Sequence, residues 1–254
     1  MKVSRRGFLK IGSAWVLGLT ALPGVEALAG NGQGVYSRSP GAMEGKRWAM
    51  IVDINKCDGC MKCQSACHKA HNVPDIDNEK ESVKWVWEES YDHVFPGMEN
   101  KYINEAVKQK PCMVLCNHCD KPACVRVCPT KATFKRKDGI VLMDYHRCIG
   151  CRYCMAACPY GARSFNFKNP RPYIKEMNSE YPTRKQGVVE KCNLCEERLS
   201  SGKLPLCVEA CPNGVYTFGD LEDSGSEARK LLSSKFTIQR RVELGVRPNI
   251  YYIV

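Results

Sequence analysis

The chain has 254 residues, 44% of them hydrophobic, and a formal net charge of +11 from 38 Lys and Arg against 27 Asp and Glu. That length fits one large or two small domains, and the apolar share is ordinary for a globular protein. Its 17 cysteines are not ordinary, because neither a cytosolic enzyme nor a secreted one with an adequate core needs so many, so something must hold those thiols.

Met1 to Lys10 read MKVSRRGFLK, followed by an apolar run from Ile11 to Leu22 and then Ala27-Leu28-Ala29. A basic start, a short apolar stretch and an A-x-A site predict a removable export signal over residues 1–29, and the run is too short to span a bilayer well. Arg5 and Arg6, with Ser4 before and Phe8 and Leu9 after, resemble the twin-arginine (Tat) signal, whose pathway carries folded proteins. The expected location is the periplasm or the outer face of the cytoplasmic membrane. An uncleaved helix or amphipathic anchor is the alternative. Cleavage after Ala29 removes four cations and Glu26 and leaves +8, with residues 30–47 as a linker.

Beyond the linker the cysteines form an internal repeat. Motif one is Cys57, Cys60, Cys63, Cys67; motif two is Cys116, Cys119, Cys124, Cys128. Motif three is Cys148, Cys151, Cys154, Cys158, and motif four is Cys192, Cys195, Cys207, Cys211. Proline follows the last cysteine at Pro129, Pro159 and Pro212, whereas His68 stands there in motif one. Between motifs one and two, Val83, Trp85 and Trp87 alternate before Phe95, which predicts a strand or docking edge, or else core filling beneath a long loop. Between motifs two and three, Asp138-Gly139 within TKATFKRKDGIVLMDYHR predicts a hairpin. Motifs two and three therefore make an inner unit over residues 111–186. Motifs one and four make an outer unit over 48–110 and 187–220. Residues 221–254 read as an irregular, cysteine-free docking tail ending in strand-like Asn249 to Val254. No stretch after the signal has the roughly 20 apolar residues of a membrane helix.

A [4Fe–4S] cube needs four thiolates on four irons, and C-x-x-C-x-x-C lets one tight loop supply three of them. Gly59 and Gly150 precede the second cysteines of motifs one and three, where positive φ turns backbone N–H groups toward sulfur. Zinc is the first competitor, but its sites usually pair two C-x-x-C knuckles or add histidine. Disulfides suit an exported chain, yet a folded-protein export signal fits a cofactor inserted beforehand. Sixteen thiolates and four oxidised cores contribute about −8, so the loaded chain is near neutral and nucleic acid is discounted as a partner. Cys112 lies outside every motif, among apolar neighbours, and reads as a buried inert thiol. His68, His71, His93, His118 and His146 are expected to hydrogen-bond or shape the metal pockets, with His118 tuning a potential. No nucleotide loop, nucleophile elbow or histidine-carboxylate metal motif has supporting context, so no substrate-converting site is expected.

The runs resemble those of two-cluster ferredoxins, in which the fourth cysteine of each run ligates the other cluster. That resemblance implies inner sets Cys116, Cys119, Cys124, Cys158 and Cys148, Cys151, Cys154, Cys128. It implies outer sets Cys57, Cys60, Cys63, Cys211 and Cys192, Cys195, Cys207, Cys67. On CIGCRYCMAACPYGAR and the C-x2-C-x11-C-x3-C-P of motif four, residues Trp48 to Phe218 resemble the four-cluster subunits of molybdopterin oxidoreductases and related membrane complexes. The implied fold is α+β, with two ferredoxin-like units carrying four [4Fe–4S] clusters. The implied role is non-catalytic electron transfer between an NrfD/PsrC-like integral membrane subunit and a cytochrome c or other redox subunit, in sulfur, nitrite, polysulfide or tetrathionate metabolism. A free polyferredoxin and a metal-stapled structural protein remain as alternatives.

Overall fold

In the computed structural model the described residues, 44–98 and 101–254, belong to one unit running from Pro40 to Val254. The expected export signal, residues 1–29, and most of the 30–47 linker lie outside them. In chain order the main elements are β1 (Trp48–Asp53), α1 (Lys62–Ala70), β2 (Val86–Ser90), α2 (Tyr91–Val94), α3 (Glu105–Lys108) and β3 (Pro111–Leu115). Next come α4 (Ala123–Arg126), β4 (Thr133–Lys135), β5 (Val141–Met143), α5 (Tyr153–Ala156), β6 (Ser164–Phe165) and β7 (Val189–Glu190). The chain closes with α6 (Glu196–Leu199), α7 (Leu206–Glu209), β8 (Tyr216–Asp220), α8 (Glu227–Ser234), β9 (Thr237–Ile238) and β10 (Ile250–Ile253). Among the described residues no helix is long and apolar enough to cross a membrane.

β1 reads WAMIVD, and its four central residues are buried, as an unbroken apolar run requires of an interior strand. It lies between β8, antiparallel with Met50 opposite Phe218, and β10, parallel with Met50 opposite Ile250. β9 completes the order β8-β1-β10-β9. The tail, expected to be irregular up to a strand-like end, supplies a helix and two strands, and that strand-like end is β10. Parallel pairing between the first and last strands of the described chain leaves no local periodicity signature, which is why a tail reading missed it.

The chain on either side of the motifs sets their placement. β1 leads into motif one and β8 follows motif four, so their pairing draws those motifs together, and α1 packs on α7. The β4–β5 hairpin joins motifs two and three as expected, with Gly139 at φ +86° and Asp138 accepting from Arg136 and the Ile140 N–H, while α4 packs on α5. The short β6–β7 ladder, Ser164 opposite Glu190, ties the end of motif three to the start of motif four. One buried apolar cluster runs from Met50 and Trp85 through Leu115 and Ile140 to Tyr252, so the two motif pairs share a core.

Trp87 lies in a strand, Trp85 stands just before it, and both fill the core. β2 pairs antiparallel with β3, Trp87 opposite Val114, and both Trp85 and Trp87 are buried. A docking edge is excluded for these two side chains. Trp85 stacks on His71 and donates its indole N–H to Glu190.

Candidate metal centres

Motif thiols lie close to one another in the fold. Ionised Cys63 would be repelled by Cys60 and Cys211, and Cys57 by Cys63. Cys67 faces Cys192, Cys195 and Cys207 in the same way. Cys119 faces Cys116, Cys124 and Cys158. Cys128, Cys148, Cys151 and Cys154 line one small pocket. No cysteine of the chain is in a disulfide. Burial pushes the Cys67 and Cys207 thiols well up and the Cys192 thiol up to about 12. Buried thiols that would repel each other once ionised need a cation at their centre, because burying unpaired charge is costly. The donor set fits iron in a cluster, with zinc as the chemical competitor.

Backbone geometry explains how short loops wrap such a centre. The residue before the second cysteine is left-handed in all four motifs: Gly59 at φ +72°, His118 at +40°, Gly150 at +70° and Leu194 at +61°. Glycine marks only two of these positions, so the sequence signal was half visible. The turns aim N–H groups at sulfur, as Leu194 N–H does at Cys192 Sγ, 3.3 Å away. Leu206, Val215 and Thr133 N–H groups reach Cys195, Cys211 and Cys128 Sγ at 3.4, 3.4 and 3.5 Å. Such donors stabilise negative sulfur.

Motif one departs from the others where His68 replaces proline. The helices α4, α5 and α7 each stop two residues before the last cysteine, and proline follows it. α1 instead carries on through Cys67 to Ala70, because His68 keeps a backbone N–H and imposes no ring clash. The extra turn delivers His71, which is 1% exposed, back to the motif. Its Nδ1 lies 2.9 Å from Cys67 O and its Nε2 2.8 Å from Glu197 Oε1. Replacing His68 with proline is expected to destabilise the protein by about 3 kcal/mol, to break the His71–Glu197 contact, and to lower the chemical-denaturation midpoint accordingly.

Cys112 is fully buried in β3, as expected, and burial pushes its thiol up to about 12. His118 accepts the Val141 N–H on Nδ1 at 3.1 Å, which leaves the proton on Nε2, toward Cys116. His93 is exposed, 3.5 Å from Glu89. Three residues that touch the thiols were not singled out: Thr133, Arg163 and Tyr216. Each lies five positions after the last cysteine of its motif, and Tyr216 donates its hydroxyl to Cys63 Sγ at 3.4 Å. Aligning the repeats beyond their prolines is the signal that finds them.

A 4Fe-4S dicluster domain matches residues 112–221, and a 4Fe-4S binding domain matches residues 54–70. The chain is similar to the Hdr-like menaquinol oxidoreductase iron-sulfur subunit 1 of Archaeoglobus fulgidus, 39% identical over 98% of this chain and 97% of that protein. It is similar to the menaquinone reductase iron-sulfur cluster-binding subunit of Nitratidesulfovibrio vulgaris, 37% identical over 82% of this chain and 88% of that one. The NrfC homolog of Haemophilus influenzae is 34% identical over 98% of this chain and 94% of its own length. These matches favour [4Fe–4S] clusters over zinc as the group the thiols hold.

Proposed function

Because the chain belongs to the NrfC-like family of iron–sulfur electron-transfer subunits of respiratory complexes, we propose that it holds four clusters in two ferredoxin-like units, one set of four cysteines each. Within this reading it passes single electrons between a quinone-reactive NrfD/PsrC-like membrane subunit and a cytochrome c subunit of a DsrMKJOP-like complex of sulfur metabolism. It works on the outer membrane face after Tat export, and its contact with the membrane runs through its partners.

The closeness of the motif thiols to one another carries the cluster assignment, and the neighbours of Cys63, Cys67 and Cys119 support the crossed sets. Bound [4Fe–4S] clusters supply reversible one-electron chemistry. The chain's own contribution is to space them, to bury the thiols, and to direct N–H donors at sulfur. The quinone end is supported by two relatives whose names carry menaquinol or menaquinone.

Anaerobic purification of the native protein with its copurifying subunits tests the proposal. Metal analysis is expected to give about sixteen irons per chain, four per site, with reduced [4Fe–4S] signals by electron paramagnetic resonance. A membrane subunit and a cytochrome c are expected alongside. A molybdopterin subunit in their place would move the chain to a tetrathionate or polysulfide reductase. Zinc in place of iron would overturn electron transfer itself.

A further inference from the structure

Two buried cations near the thiols have no carboxylate. Lys191 is 1% exposed and Arg163 4% exposed. Among the described residues neither forms an ion pair with an Asp or Glu side chain. Lys191 Nζ donates to the Cys192 carbonyl. Arg163 Nη1 meets Thr133 Oγ1 at 3.2 Å and Met143 Sδ at 3.1 Å, while its Nη2 is buried with no oxygen or nitrogen partner. The neighbouring Glu190 is already taken by Arg184, at 2.7 Å. An isolated buried cation costs several kcal/mol unless an anion compensates it, and the anions at hand are thiolates.

Their positions are specific. Arg163 follows motif three just ahead of β6, and Lys191 follows β7 directly, so the β6–β7 ladder holds the two cations close to the junction of the motif pairs. Arg163 reaches Cys124 and Cys116 of one set and Cys154 of the next. Lys191 reaches Cys116 on one side and Cys192 on the other.

Resting on the cluster reading above, we propose that Lys191 and Arg163 set potentials, making the Cys116–Cys119–Cys124–Cys158 site the most readily reduced of the four. Nearby positive charge favours the more negative, reduced form and raises the potential. The central site faces both cations, so an electron crossing between the motif pairs meets its most stable position there. Each transfer moves one electron and makes or breaks no bond.

Potentiometric titration of the loaded protein, followed by electron paramagnetic resonance, tests this. Lys191→Gln is expected to lower two midpoints, those of the Cys116 and Cys192 sites, by at least a tenfold change in the reduction equilibrium, or 59 mV for one electron. Lys191→Arg is expected to keep both. Full iron content with no midpoint moved would overturn the proposal. Cys119→Ser gives a second measurement that needs no Lys191 variant to load: it is expected to alter the signal that appears at the highest potential, and alteration of a lower one overturns the order. If the wild-type protein holds far fewer than about sixteen irons, the cluster reading itself has failed and this ordering falls with it.

Discussion

Replacing Arg184 with methionine is expected to destabilise the protein by about 3–5 kcal/mol, the range for breaking one side of a buried ion pair. Arg184 and Glu190 are both 0% exposed, 2.7 Å apart. Burial lowers the guanidinium pKa, but the Glu190 carboxylate more than restores it and the net direction is up. The same guanidinium donates to the carbonyls of His71 and Asn72, beyond the end of α1, and lies over the rings of Trp85 and Tyr181. Its loss leaves Glu190 charged in the core with only Trp85 and Asn166 to hold it. Thermal and guanidinium unfolding, followed by circular dichroism, are expected to show the loss. The double variant Arg184→Met, Glu190→Gln is expected to recover most of it, because the uncompensated charge then disappears. Equal stability of the single and double variants would mean that the carbonyl contacts, rather than the charge, carry the effect.

The cysteine spacing made the four motifs legible, and Asp138-Gly139 made the hairpin legible, because both are local patterns. What stayed hidden depends on residues distant in the chain. β10 pairs with β1 across nearly the whole described chain, and an apolar run such as Ile250 to Ile253 does not name its neighbour. His68 was visible as an exception, but its consequence, a longer α1 that brings His71 to Glu197, depends on where motif four folds. Left-handed backbone was readable at Gly59 and Gly150 but not at His118 and Leu194, where wrapping the thiols overrides residue preference. Nothing local marks Arg184 and Glu190 as a buried pair, since the polar and β-prone chain around them gives no hint of it.

Gly150→Ala is expected to cost motif three its cluster while Gly59→Ala leaves motif one loaded, although both glycines have nearly the same backbone. Their φ values are +70° and +72°, so left-handed strain, about 1 kcal/mol for a non-glycine residue, is common to both. That strain is bearable, since His118 and Leu194 carry it at the sister positions. The surroundings differ. A Cβ on Gly150 would stand 2.3 Å from the Gly187 carbonyl oxygen and 3.2 Å from Phe165 Cε2. On Gly59 the nearest atom is Glu88 Oε2 at 3.2 Å, the free end of a side chain that can turn away. The Gly187 carbonyl cannot, because Gly187 N–H is bonded to Asn166 O at 2.8 Å and Val188 carbonyl accepts from Asn166 N–H at 3.0 Å. Backbone must move next to the β6–β7 ladder, at a cost of about 1–3 kcal/mol or more, and the loop bearing Cys148 and Cys151 is the part free to yield. Iron is expected to fall from about sixteen to about twelve per chain, one cluster's worth, in Gly150→Ala and to stay near sixteen in Gly59→Ala. Equal iron in the two variants would show that the Gly187 contact relaxes more easily than its hydrogen bonds imply.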